Sequence, residues 1–288
     1  MFTILPTIGW AQDETGTTYS SDIEVGYGYD SNVAVDDVDL NTNVGDQFTD
    51  IKLGGNAAYN TGEGMQISGS LLLSEKRYNT FDLFNGRLLI ASTSLEKEFG
   101  KVSTGIDIRY IDYQLDHDGF LDMLQFSPNI SWFPSKKTFL RTAYEYAAET
   151  YDDSTGRDNS RHEVSASGYY FIRGLQRYLV LRAKLAEETA DDKIFSNDAW
   201  EMGLAYHHKV KLGSKLVAFK AAYRFQQRDY DDALNPTITD HRSDDRHRYE
   251  LEMDIPINET FSIATAIIRN NYTSNLESSD YEQQTYQV

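Results

Sequence analysis

The sequence has no cysteine, only five prolines, and no run of about 18 apolar residues. Each absence removes a class of protein. Without cysteine there is neither a disulfide framework nor a thiolate metal site. Without a long apolar run there is no transmembrane helix. Positive charge is short as well, with 27 Lys and Arg against 45 Asp and Glu, a net charge of −18. So acidic a chain repels the phosphate backbone, which excludes nucleic acid as a default partner. Aromatic residues are abundant instead, 20 of them tyrosine, and acidic disordered chains are poor in such residues. None of this excludes a membrane barrel, whose strands each need only about 10 residues and hide their apolar half by alternation.

Period-two alternation recurs along nearly the whole chain, whereas helical spacing is hard to find. In Tyr19 to Tyr29 the residues Ile23, Val25, Tyr27 and Tyr29 share one face and Asp22, Glu24, Gly26 and Gly28 the other. Val217 to Phe225 and Leu124 to Trp132 repeat the pattern. It predicts fourteen strands, at about 19–29, 48–59, 65–78, 86–99, 102–115, 123–133, 138–150, 162–172, 178–186, 199–208, 215–228, 247–255, 261–269 and 281–288. Connections after odd strands are long and those after even strands are short, the layout of an antiparallel up-and-down outer-membrane barrel with long outer loops and short periplasmic turns. Pro128 falls mid-strand, where a missing N–H donor predicts a bulge.

Aromatic residues collect toward both strand ends. Tyr27, Tyr29, Tyr110, Tyr144, Tyr146, Tyr223 and Phe225 lie toward the long loops, and Phe99, Trp132, Phe139 and Phe261 toward the short turns. Two girdles at the membrane interfaces account for that distribution. Cross-strand aromatic pairing in a soluble sheet is the alternative.

The long connections hold 25 acidic and 5 basic residues, so the whole acidity is placed at the outer rim. Asp36, Asp37, Asp39, Asp231 and Asp232 are the candidates for a divalent cation, Ca2+ or Mg2+, bridging to lipopolysaccharide. Solvated loop surface is the other reading, since no segment keeps regular ligand spacing. No further cofactor is indicated. The inward face is polar and of mixed sign, with Arg109, Arg141, Glu145, Arg182, Lys184, Glu201, Lys220, Arg224, Arg248, Glu250 and Glu252 as candidate pore-lining residues. Such charges line open water or form a salt-bridge lattice. Fourteen strands lie between a filled eight-stranded barrel and a sixteen-stranded aqueous channel, which predicts a narrow or partly occluded pore.

Catalytic chemistry is not evident. Asp116-His117-Asp118 and Asp240-His241 offer Asp/His pairs in outer connections, but nothing in the sequence positions a nucleophile, and no hydrolase, P-loop or dinucleotide motif occurs. The chain reads as a non-enzyme. Met1 to Ala11 (MFTILPTIGWA) is a short apolar run ending in small residues. It resembles the back half of a secretory signal peptide, an apolar N-terminal strand being the alternative. The expected organisation is thus 1–18 as residual signal peptide or N-terminal segment and 19–288 as one barrel. Its last strand, Tyr281 to Val288, is short and ends without an aromatic residue, from which truncation of the closing strand is expected.

At Tyr27-Gly28-Tyr29-Asp30-Ser31-Asn32-Val33, and again at Tyr272-Thr273-Ser274-Asn275 and Tyr281, the chain resembles Gram-negative outer-membrane barrels. The resemblance is to the barrel domain of surface lipoprotein assembly modifiers and to barrels that accompany exopolysaccharide export. It implies a fourteen-stranded translocator barrel at the cell surface, inserted by the barrel-assembly machinery, and it carries over no functional residues. Assembly modifiers have a helical repeat domain before the barrel, whereas here the barrel pattern starts almost at once. Two functions follow as expectations. One is a channel or translocator, porin-like, for solutes, an exported polymer or a lipoprotein. The other is a closed structural or binding barrel whose acidic loops engage divalent cations, lipopolysaccharide or a partner.

Overall fold

Strands that are apolar on one face and polar on the other have nowhere to satisfy their backbone groups in lipid except in a closed ladder. The computed structural model describes residues 16–35, 39–152 and 155–288, and in it fourteen antiparallel strands close in that way. They are β1 (Gly16–Asp30), β2 (Asp46–Asn60), β3 (Met65–Tyr78), β4 (Gly86–Phe99), β5 (Val102–Leu115), β6 (Asp118–Ser135), β7 (Thr138–Tyr151), β8 (Asn159–Phe171), β9 (Arg177–Ala190), β10 (Asn197–Leu212), β11 (Lys215–Asn235), β12 (Asp240–Pro256), β13 (Ser262–Ser274) and β14 (Tyr281–Gln287). Each strand pairs with its neighbours in sequence, and β1 meets β14. A two-residue hairpin, Ala34–Val35 against Leu40–Asn41, decorates the β1–β2 connection.

Exposed apolar side chains such as Ile23, Val25, Leu53, Ile108, Leu181, Leu185 and Leu251 sit on the outer face. The polar residues between them point inward. That is the reverse of a soluble barrel, and lipid is the solvent that suits it. The outward aromatic residues form the two expected belts, with Tyr27, Tyr110, Tyr144, Tyr146 and Tyr223 toward one end and Phe99, Trp132 and Phe261 toward the other. Several outer-belt hydroxyls find a polar partner on the next strand, as in Tyr27 to Gln47 at 2.6 Å and Tyr144 to His162 at 2.6 Å.

Several expectations need correction. Residues 116–122 and 229–246 are mostly strand, because β6, β11 and β12 extend well beyond the apolar belt. Between β5 and β6 only Asp116 and His117 remain as a turn, both with positive φ (48° and 73°), the conformation of a tight two-residue hairpin. Asp229, Asp231, Asp232, Asp240, Asp244 and Asp245 therefore belong to strands rather than to loops. Pro128 causes no bulge: it stays paired with Ile106, and toward β7 the ladder lapses and resumes in the same register at Phe126↔Tyr146 and Asn129↔Ala143. Register shifts fall instead between Trp132 and Ser135 toward β7, around Pro134, and at Tyr113/Gln114 toward β5. Phe139 is buried and shares the inward parity of Arg141, so it belongs to the interior rather than to a girdle.

The expected signal-peptide segment falls largely on residues 1–15, outside the described ones, and β1 begins at Gly16. Closure is short. Strand β1 pairs with β2 over its whole length but with β14 only at Gly28↔Gln287, Tyr29↔Tyr286 and Asp30↔Thr285. Reciprocal backbone hydrogen bonds between Tyr27 and Val288, both 2.9 Å, extend the seam by a step.

Candidate channel lumen and outer mouth

The root of the β1–β2 connection is fixed at the seam. Asp30, with no exposed side-chain surface, accepts hydrogen bonds from Lys76 Nζ and Tyr78 Oη, both at 2.6 Å, and from Thr285 Oγ1. One carboxylate thus ties β1, β3 and β14 together. Beside it Val33, Phe48 and Tyr78 form a small apolar cluster, with the Lys76 ammonium 3.9 Å from the centre of the Phe48 ring. Asn32 Oδ1 accepts the backbone N–H of Asn43 at 2.8 Å and so closes the base of the loop. These contacts belong to the tyrosine-glycine segment on which the family resemblance rests.

From that root the connection reaches across the mouth. Asp39 accepts hydrogen bonds from Arg242 Nη2 at 2.7 Å and Nη1 at 2.9 Å, from Arg157 Nη2 at 3.0 Å and from Ser279 Oγ at 2.8 Å. Arg157 lies between β7 and β8, half the barrel's circumference from β1 in the strand order. Loop residue Asp39 therefore stands over the lumen. Arg242 also binds Asp244, at 2.8 and 2.9 Å, and packs its guanidinium on Tyr230, 4.6 Å from the ring centre. Burial opposes ionisation of Asp39, but the hydrogen bonds and charge of Arg242, with Ser279 and Arg157, hold its carboxyl well below the usual carboxylate range. With its oxygens occupied by guanidinium groups, Asp39 is not free for a cation.

The strands place the eleven candidate lumen residues on the face opposite the exposed apolar side chains, and most enter cross-strand ion pairs. Arg141 meets Asp107 at 2.8 Å, Glu145 meets Arg161 at 3.3 Å, and Lys184 meets Glu163 at 3.1 Å. Lys220 contacts Glu250 at 2.9 Å and Glu252 at 3.2 Å. Arg224 and Glu201 are 3.6 Å apart, and Arg248 and Glu250 3.8 Å. Among the described residues Arg109 meets only Gln125, at 3.3 Å. Arg182 has no hydrogen-bond or ion-pair partner among the described residues.

Nearer the turn end an arc of aromatic residues that the sequence reading missed lines the interior. Phe133 and Phe139 have ring centres 4.6 Å apart, Phe139 and Tyr169 5.4 Å, Phe171 and Tyr178 6.0 Å, and Tyr178 stacks on His207 at 4.4 Å. Parity was the available signal, since Phe139, Tyr169 and Phe171 share the parity of the inward charges on their strands.

No family model and no curated protein matches the sequence. Solved structures do match. An anion-selective porin from Comamonas acidovorans superposes with a TM-score of 0.57 at 10% identity, over 96% of this chain and 98% of the porin. Outer-membrane expressed OmpT of Vibrio cholerae gives 0.54 at 10% identity, over 94% and 96%. The fold is that of a Gram-negative outer-membrane β-barrel. At this identity the likeness establishes architecture alone, and with the lipid-compatible exterior it places the chain in the outer membrane.

The remaining candidates do not assemble a site. His117 Nδ1 lies 3.8 Å from Asp116 on the exposed β5–β6 turn, and His241 Nδ1 lies 3.2 Å from the Tyr230 carbonyl oxygen. Among the described residues no hydroxyl is hydrogen-bonded to either ring. Asp231 and Asp232 are exposed on β11, Asp36 and Asp37 lie outside the described residues, and among those described no group of three potential ligands surrounds a cation position.

Proposed function

We propose that this barrel is a channel or translocator whose outer mouth is crossed by the β1–β2 loop. The observation that carries the reading is water access to the inner wall. Arg224 and Arg141 face the inside of a closed barrel, yet their side chains are 38% and 35% exposed. In a barrel filled by its own side chains they would be packed away. The interior is instead lined by charged residues in cross-strand pairs, a surface suited to hydrated or polar solutes. The anion-selective porin with the same architecture supports the reading in outline. Passage of a polymer or lipoprotein requires the loop to move aside.

Reconstitution in planar bilayers tests the proposal. Discrete conductance steps are expected, and their absence from heat-modifiable, folded protein would count decisively against a channel. The rival, a closed binding barrel, draws on the Asp39 contacts that hold the loop across the mouth. It predicts no conductance from folded protein, together with binding of divalent cations or lipopolysaccharide by the outer surface.

A further inference from the structure

Three arginines share one pairing row on the inner wall of β9 to β12. Arg182 pairs with Gly203, Gly203 with Arg224, and Arg224 with Arg248. The glycine leaves a gap in the row, and a Cβ built on it would meet nothing closer than 3.7 Å among the described residues. Ala205 and Ala222, paired with each other in the next inward row, continue the low floor on one side. Together they leave a recess of about 140 Å³. Since a water molecule's share of liquid volume is about 30 Å³, the recess has room for an oxyanion with part of its hydration.

The charges around it do not balance. Arg182, Lys184, Lys220, Arg224 and Arg248 line the recess, against Glu201 and Glu250. Lys184 is engaged by Glu163, and Glu250 is held by Lys220. Contacts of Arg224 and Arg248 with carboxylates, at 3.6 and 3.8 Å, are longer than a hydrogen bond. Arg182 has no counter-ion among the described residues. Arg224 and Arg248 are also direct cross-strand neighbours, a placement of like charges that destabilises a sheet. The chain has 45 acidic residues, and none of those described is placed against Arg182. Breaches of local consistency of this kind concentrate at functional sites.

We propose that the recess binds the oxyanion of a solute, a carboxylate, sulfate or phosphate group, held by the guanidinium groups of Arg182, Arg224 and Arg248. Planar guanidinium forks bind such groups bidentately, and an anion seated over Gly203 supplies the charge that the row lacks. The site deepens the channel reading by naming the class of solute, and its transport role rests on that reading.

Calorimetric titration of the detergent-purified barrel with succinate, sulfate and phosphate, each separately and at low chloride, tests the site. Saturable binding of at least one is expected, and the order of the three affinities assigns the source of the oxyanion. Arg182→Gln should weaken binding about tenfold, the scale of one charge-assisted hydrogen bond, and Gly203→Glu should abolish it. Arg141→Gln, whose guanidinium is held by Asp107, should leave it unchanged. Heat-shifted electrophoretic mobility certifies each variant as folded, and Arg224→Gln is read in place of a variant that fails. No saturable binding to the wild type, or equal binding by wild type, Arg182→Gln and Gly203→Glu, overturns the proposal. Anion binding without bilayer current sinks the channel reading and spares the recess. Current whose ion selectivity and block by these anions are untouched in Arg182→Gln does the reverse.

Discussion

Arg242 donates to both oxygens of Asp39, at 2.7 and 2.9 Å, across 203 positions of sequence. The pair joins the β1–β2 loop to the wall at β12, with Arg242 only 3% exposed. Removing one member of a buried pair leaves the other charge uncompensated, a cost of about 3–5 kcal/mol. Asp39→Asn removes the loop's charge but leaves Arg242 bound to Asp244, so the loss should fall on loop position more than on the barrel. The expected result is a larger or noisier single-channel conductance with unchanged heat-modifiability. Identical current traces for Asp39→Asn and wild type would show that the loop does not limit flow.

The same contact sets an acid response. A carboxyl held below its ordinary value contributes stability that is complete above the unfolded value, 3.8 for Asp39, and is lost only as pH falls through the depressed folded value. The loop contact should therefore persist from neutral pH down through the ordinary aspartate range. Conductance recorded between about pH 7 and pH 4 should show no step that Asp39→Asn abolishes. A wild-type transition in that window, absent from the variant, would contradict the assignment.

Gly28 is where the seam has no room. A Cβ there would collide with Phe48 Cζ and lie 2.5 Å from the backbone carbonyl oxygen of Tyr286. The phenyl ring can rotate away, but the carbonyl belongs to the three-pair closure of β1 on β14. Gly28→Val should therefore reduce the folded fraction, read as loss of the heat-shifted band on refolding into detergent. Gly16→Val, whose Cβ would meet nothing within 4 Å among the described residues, is the matched control. Equal folding of the two variants would show that the seam yields without cost.

How much of this was legible beforehand follows from what each feature depends on. Strands such as Val217 to Phe225 were legible because lipid on one side and water on the other impose alternation. The continuation of β11 through Asp229 to Asn235, and its pairing with the start of β12, was not. Beyond the membrane both faces meet water, so a strand there carries no apolar period and reads as an acidic loop. The inward parity of the charges is legible from alternation alone, whereas Phe139, which shares the parity of Arg141, lies near a strand end and so resembles a girdle residue. Asp39 and Arg242 left no local signal, since only barrel closure brings them together. The Gly203 gap between Arg182 and Arg224 needed the register of two hairpins.

The inside-outside assignment can itself be tested. Leu181 on β9 faces outward and is among the most exposed apolar residues, with Leu204 and Gly168 beside it on neighbouring strands. An arginine there must be carried into hydrocarbon, which costs about 2–4 kcal/mol near the bilayer midplane. Ala143 on β7 has the inward parity of Arg141 and Glu145 and pairs with Asn129 and Ser165. A lysine there enters hydrated lumen with carboxylates in reach. Leu181→Arg should therefore shift the urea midpoint of unfolding from liposomes markedly, whereas Ala143→Lys should shift it little. Equal loss in both variants would mean that the lumen at β7 is packed rather than wet, and the channel reading would lose the observation on which it stands.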